Sequence, residues 1–99
     1  MRLGAQQISA IKSRVLGTFG PEARVWLFGS RVNDGVKGGD IDLYVELPEQ
    51  IADVFARTVR LNGSLQMALG EQRIDIVTHV AGSSMQSVHL AARAEGVLL

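Results

Sequence analysis

Cysteine is absent from this chain, and several other features are scarce or missing. Without cysteine there is neither a disulfide framework nor a thiolate metal site, and we expect a cytoplasmic protein. The formal net charge is zero, so the chain lacks the excess of basic residues that strong, sequence-independent binding of nucleic acid requires. No apolar run approaches the roughly 20 residues of a membrane-spanning helix, and we expect neither a membrane span nor a signal peptide.

What is present is the composition of one small globular domain. The chain has 99 residues, of which 46% are hydrophobic and 20% are charged. A chain of this length buries roughly 60–68% of its unfolded surface, which allows one modest core and no second lobe. We therefore expect residues 1–99 to form a single domain with little room for several binding pockets.

The central stretch, Val25–Leu47, predicts two strands joined by a glycine-bearing loop. Val25–Phe28 is short and rich in β-branched and aromatic residues, as strands are. Gly29 and Ser30 break this run, and Gly38-Gly39 ends the loop. Glycine has no side chain to block a phosphate, and a turn that exposes N–H groups can bind one.

The second strand alternates between apolar residues and acidic or polar ones. Because strand side chains have a period of two, one face carries Asp40, Asp42, Tyr44 and Glu46. Positions two apart are about 6.5–7 Å apart, so two carboxylates there can converge on one or two divalent ions. The acids have no positive residue on the same strand face to offset their repulsion. The alternative is a pair of exposed acids, and we expect Glu46 to face the surface or a partner.

A third run, from Arg73 to Thr78, repeats this alternation. If its isoleucines join the core of the second strand, Asp75 lies on the face that carries Asp40 and Asp42. Three carboxylates would then share one surface beside the glycine-serine turn. Hard oxygen ligands suit Mg²⁺ and an N–H-lined turn suits phosphate, so we infer chemistry on a metal-bound nucleoside triphosphate.

Helices are predicted around these strands. Gln6–Phe19 carries apolar residues on a 3.6-residue period. A second helix is predicted from Glu49, directly after a proline that suits a helix start, to about Ala68. Its broad apolar face includes Phe55 and Val59. We expect an α/β (α+β) fold, in which a small mixed sheet of about three to four strands is flanked by about four helices.

The C-terminal part predicts one more helix and a short apolar tail. Residues 84–95 form the helix, with an N-cap at Ser83 or Ser84. The tail, Val97–Leu99, either adds an edge strand or docks on a partner. His79 follows the third strand and is structural or solvated, with contact to substrate left open.

This combination of motifs resembles the nucleotidyltransferase superfamily that includes polymerase β. The resemblance rests on Gly29-Ser30, then Asp40-Ile41-Asp42-Leu43 after a short loop, and Asp75 on a later strand. The small size is similar to that of the minimal nucleotidyltransferases, the MNT antitoxins paired with HEPN-domain toxins. One departure is visible, because Gly39 stands where the family often has serine, but it removes no metal ligand.

The resemblance implies a nucleotidyltransferase fold and a role for each motif residue. The acids that would be both catalytic and metal-binding are Asp40, Asp42 and Asp75. The turn residues that would bind the nucleotide are Gly29, Ser30 and Arg31. Mg²⁺, as one ion or two, would sit on the triphosphate of ATP, and Asp75 would act as general base. Arg31 suits a phosphate oxygen or the carboxylate of Asp34, and the sequence leaves both open.

The implied activity is transfer of AMP from ATP to a tyrosine of a cognate HEPN toxin, an RNase that the added AMP silences. Two alternatives are an antitoxin that neutralises its toxin by binding alone and an enzyme that adenylylates a small molecule such as an antibiotic. Three repelling carboxylates argue against a purely binding role. The lack of a second domain argues against a small acceptor. The sequence leaves the oligomeric state open, a homo-oligomer included.

Overall fold

The computed structural model describes residues 3–29, 40–70 and 72–99. These ranges contain three helices and four strands, in the order α1 (Ala5–Phe19), β1 (Arg24–Phe28), β2 (Ile41–Leu47), α2 (Val54–Leu69), β3 (Ile74–Val80), α3 (Ser87–Glu95) and β4 (Val97–Leu98). The strands form one mixed sheet in the spatial order β3-β2-β1-β4. The predicted mixture of helices and a small mixed sheet is confirmed, with three helices in the described ranges where about four were expected.

Strand β2 is the structural centre of the sheet. It pairs antiparallel with β1 and parallel with β3. A parallel pair requires a long crossover connection, which α2 provides between these two strands. At the other edge β4 pairs antiparallel with β1, so the apolar tail adds the edge strand that was one of its two expected roles.

Helices α1 and α2 cover one face of the sheet. Their buried side chains meet alternate residues of the strands, because strand side chains that face one layer recur at every second position. Each fully buried aliphatic side chain of this layer stabilises the fold by about 1.5–3 kcal/mol relative to exposure. The main members of this core are Ile11, Val15, Phe19, Val25, Leu27, Ile41, Leu43, Val45, Leu47, Leu61, Leu65 and Ile74.

Helix α3 covers part of the opposite face. Tyr44 is fully buried there. Its ring centroid lies 5.4 Å from that of Trp26 and 5.9 Å from that of His89, which belongs to α3. Tyr44 therefore packs beneath α3.

Helix α2 departs from the sequence-based prediction in two respects. It begins at Val54 rather than Glu49, because Asp53 has a left-handed backbone (φ 58°, ψ 40°) that regular helix cannot continue through. Phe55 and Val59, which were assigned to its broad apolar face, are 83% and 56% exposed, so this part of the face lies outside the core. The helix does continue unbroken through Gly63, as one continuous helix was expected to do.

The other helix boundaries are closer to expectation. Helix α1 begins one residue before Gln6, and α3 begins at Ser87 with Gln86 as its N-cap, rather than at a cap on Ser83 or Ser84. The three helices contain 15, 16 and 9 residues. Among the residues that the structure describes, no helix has the length and apolar character needed to cross a membrane.

Candidate functional site

Asp42 and Asp75 occupy directly paired positions on neighbouring parallel strands. The register aligns Ile41 with Ile74 and Asp42 with Asp75. Both isoleucines are buried in the core, so alternation places both aspartates on the opposite face of the sheet. Neighbouring strands are about 4.8 Å apart, which makes the two acids immediate neighbours. The expected sharing of one face is confirmed, while the catalytic role of these acids stays a prediction.

Arg73 joins the acids at the point where two strands begin. Asp40 directly precedes β2, and Arg73 directly precedes β3. The Nε atom of Arg73 is 3.5 Å from Oδ2 of Asp40 and 3.6 Å from Oδ2 of Asp75. Residue alternation along β2 alone predicts no charge that compensates Asp40, because Arg73 belongs to a different strand segment. The register pairs Ile41 with Ile74. The residues that precede them, Asp40 and Arg73, are therefore neighbours.

The charge of Asp42 is disfavoured by its surroundings. Burial raises the pKa of the Asp42 carboxyl above its ordinary value, and the charges of Asp75 and Asp40 raise that pKa further. Arg73 acts in the opposite direction by favouring the charged form. A partly buried carboxylate among like charges gains more from a nearby cation than a solvated one does. The local electrostatics therefore favour a cation on this face.

Gly29 brings the backbone against the same acid. It directly follows β1, whose last residue, Phe28, pairs with Asp42. Its φ of +77° is one that side chains rarely adopt, and a Cβ built there would collide with the Asp42 carboxylate. Gly29 is thus placed beside the acidic face, as the motif predicted. Ser30 and Arg31, the other turn residues expected to bind nucleotide, lie outside the described residues.

The acids match Mg²⁺ in chemical type, since carboxylate oxygens are its preferred protein ligands. In the described part of the chain, no group of three or more His, Cys, Asp or Glu side chains stands ready to hold a metal ion. The position of Arg73 agrees with this finding, because its guanidinium lies between Asp40 and Asp75. The residues fit a divalent cation in donor type and in shared surface, provided that the Arg73 side chain moves aside.

A second polar cluster lies farther along the same face, beneath α3. Glu46 was expected to face the surface or a partner, but its side chain is only 18% exposed. Its Oε1 accepts a hydrogen bond from the Tyr44 hydroxyl and lies 2.8 Å from Nδ1 of His79 and 3.9 Å from Nη1 of Arg93. The expectation of a surface-facing Glu46 is therefore wrong. The reason is that the register pairs Glu46 with His79, and α3 supplies Arg93 above them.

His79 is a structural member of this cluster and lies within β3. Its residue is 7% exposed, and its Nε2 is 3.0 Å from the backbone oxygen of Ser83. The hydrogen bond with Glu46 raises the pKa of His79 above its ordinary value, and the opposing effect of burial is smaller. With both ring nitrogens facing acceptors, the protonated ring, which donates from both, is favoured. Of the two expected settings, structural or solvated, His79 has the structural one.

An open groove runs between α2 and β3 and reaches the candidate base. Its volume is about 380 Å³, and its lining residues are Thr58, Val59, Asn62, Gly63, Ile74, Asp75 and Ile76. A Cβ added to Gly63 would meet nothing within 4 Å. The amide nitrogen of Asn62 donates to the backbone oxygen of Ile74 at 2.7 Å and ties the two walls together. We refer to this space as the Asp75 groove.

An exposed apolar stripe borders the Asp75 groove on α2. Phe55, Val59, Gly63 and Met67 recur at intervals of four residues, which places them along one side of the helix. Phe55 and Met67 are 83% and 89% exposed. Val59 and Gly63 belong to both features, so the α2 stripe and the Asp75 groove form one continuous surface.

Comparison with known proteins does not assign this chain to a family. Its sequence matches no protein-family model and no curated protein. A fold alone does not define an activity, so the function has to be inferred from the residues of the site. Four expected site residues lie on or beside one acidic surface, namely Gly29, Asp40, Asp42 and Asp75.

Proposed function

We propose that this chain has a nucleotidyltransferase fold and transfers AMP from ATP, in the cytoplasm, to a tyrosine hydroxyl of a cognate HEPN-domain toxin. The observation that carries the proposal is the pairing of Asp42 with Asp75 on one face, with Gly29 directly beside Asp42. The resemblance to MNT antitoxins supports the choice of acceptor. The domain would then act as an antitoxin through covalent modification of its partner.

Each residue of the site has a task in this reaction. Asp40, Asp42 and Asp75 would hold Mg²⁺, which when bound neutralises charge on the attacking and leaving oxygens. Asp75 accepts the proton of the acceptor hydroxyl, whose oxygen forms a bond to the α-phosphorus. The bond between the α-phosphorus and the pyrophosphate oxygen breaks, and pyrophosphate leaves. Gly29, which has no side chain, leaves room for the Asp42 carboxylate beside the backbone that would face the phosphates.

A protein acceptor is favoured by the surface next to Asp75. The α2 stripe exposes Phe55 and Met67, and exposed apolar patches commonly mark sites of protein contact. The Asp75 groove continues from this stripe to the candidate base. A partner that covers the stripe could place a side-chain hydroxyl in the groove and complete a site for which the small domain has little room.

The test uses the product of the neighbouring gene as acceptor, with Mg²⁺ and ATP labelled at the α-phosphorus. We expect label on the partner, and we expect Asp42→Asn to abolish its transfer. Asp53→Asn is the matched control, because Asp53 is exposed and Asn tolerates its left-handed backbone. Full neutralisation of the partner by Asp42→Asn without transfer would indicate binding alone. Label on hydroxylated antibiotics instead would indicate a small-molecule enzyme.

A further inference from the structure

The backbone of Arg73 is fixed between the beginnings of two strands. Its carbonyl oxygen accepts a hydrogen bond from the backbone nitrogen of Ile41 at 3.0 Å. The side chain, by contrast, is 74% exposed. The guanidinium can therefore move while its point of attachment stays beside the acids.

The guanidinium of Arg73 lies beside two of the acids. Its Nε is within 3.6 Å of a carboxylate oxygen of both Asp40 and Asp75. These are two of the three acids that the proposed reaction needs as metal ligands. A guanidinium and a divalent ion cannot both occupy the space between the same two carboxylates.

We propose that Arg73 is an internal counter-ion that competes with the divalent metal for Asp40 and Asp75 and leaves the site when metal binds. This inference rests on the proposed function, since it assigns a partner to the same acids. In the metal-free protein Arg73 offsets the repulsion between carboxylates on neighbouring strands. In the metal-bound protein its side chain extends into solvent from the same anchored backbone.

The contacts of Arg73 are weak enough to be displaced. Distances of 3.5 and 3.6 Å exceed the 2.7–2.9 Å of a close charge-assisted hydrogen bond. Exposed ion pairs contribute little because water solvates both partners. A divalent ion binds carboxylate oxygens directly and carries twice the charge. Arg73 would thus raise the metal concentration needed for binding without blocking it.

The experiment measures the binding of Mn²⁺ alone to the intact chain, by the electron paramagnetic resonance of the free ion. We expect Arg73→Gln to bind Mn²⁺ about three- to tenfold more tightly than the wild type. Arg73→Lys keeps the positive charge but lacks the planar guanidinium. Its affinity for Mn²⁺ should lie between those of the wild type and Arg73→Gln. Asp42→Asn should weaken Mn²⁺ binding in each background.

Arg24→Gln is the matched control for net charge. Arg24 pairs with Glu46 in the sheet, at the opposite end of β1 from the pair of Phe28 and Asp42. This variant should change Mn²⁺ affinity less than about twofold, since exposed charges at a distance are screened. Thermal unfolding gives a second readout: Arg73→Gln should lower the Tm without metal and lose that deficit at saturating Mn²⁺.

The outcomes separate this inference from the proposed function. An unchanged Mn²⁺ affinity in Arg73→Gln, or an equal change in Arg24→Gln, would overturn the role of Arg73 even if AMP transfer is observed. Tighter Mn²⁺ binding by Arg73→Gln without any AMP transfer would support that role while the enzymatic proposal fails. Absence of Mn²⁺ binding by every variant would overturn both.

Discussion

The carboxylate of Asp42 fills the space that a side chain on Gly29 would occupy. The two residues come from neighbouring antiparallel strands, since Gly29 follows the residue that pairs with Asp42. The close approach requires glycine for two reasons, the lack of a Cβ and the positive φ of +77°. The position of the Asp42 carboxylate and the backbone conformation at Gly29 are therefore coupled.

Replacing Gly29 should test this coupling. We expect Gly29→Ala to destabilise the fold by about 1–3 kcal/mol and to abolish AMP transfer, because the new Cβ forces the Asp42 side chain aside. Urea unfolding and transfer of α-labelled AMP measure the two effects. Gly82→Ala is the control, because Gly82 also has a positive φ, of +88°, but has no atom within 4 Å of an added Cβ. It should lose stability through backbone strain alone and retain transfer.

The buried pair of His79 and Glu46 should make stability depend on pH. The folded protein raises the pKa of His79, so between the unfolded and folded pKa values the folded state binds more protons. The stabilisation is fully present below the unfolded pKa of about 6.5 and is lost as the pH rises through the folded value. We therefore expect the free energy of unfolding to fall as the pH rises above about 6.5.

Urea unfolding at several pH values between about 5.5 and 8.5 measures this dependence. Glu46→Gln removes the main cause of the raised pKa, so its stability should fall less steeply over the same interval. Glu22→Gln, which changes an exposed acid, is the control and should keep the slope of the wild type. A steep fall retained in Glu46→Gln would show that another group is responsible.

The alternation of residues predicted much of the acidic surface. The period of two placed Asp42 on one face of β2, and the same pattern in β3 placed Asp75 on a matching face. What alternation does not give is the register between strands, which decides which side chains are neighbours. The contact of Arg73 with Asp40 was missed and Glu46 was misjudged for that reason, since each contact joins residues of two different strand segments.

The second helix shows a different limit of the sequence. An apolar residue on a helix faces the core or an exposed interaction surface, and the composition of the helix does not distinguish them. Leu61 and Leu65 are fully buried, whereas Phe55 is 83% exposed. The late start of α2 was not predicted either, because helix propensity does not indicate the left-handed backbone of Asp53.

The exposed stripe on α2 should bind the partner protein. We expect Phe55→Ser to weaken binding to the neighbouring gene's product at least tenfold, because it removes a large apolar contact. The Tm should change little, since the 83% exposed residue contributes little to the core. Isothermal titration measures the affinity. Leu16→Ser on α1 is the comparison, an apolar residue that is 40% exposed outside the stripe, and an equal loss of affinity there would count against a localised contact.

Two substitutions of Gly63 should have different effects, one on stability and one on AMP transfer. Glycine in a helix interior is about 0.5–1 kcal/mol less favourable than alanine, and an added Cβ meets nothing here, so Gly63→Ala should stabilise the fold. Gly63→Leu extends a side chain into the Asp75 groove. It should reduce AMP transfer to the partner protein while Mn²⁺ binding, which depends on the acids, stays unchanged.

Gly17 gives the control for this helix substitution. It lies within α1, an added Cβ there also meets nothing within 4 Å, and it does not line the Asp75 groove. Gly17→Ala should raise stability by a similar amount, and Gly17→Leu should leave transfer to the partner unchanged. Unfolding free energies and initial rates of labelling compare the four variants. If Gly63→Leu labels the partner as fast as Gly17→Leu does, the acceptor reaches Asp75 by another route.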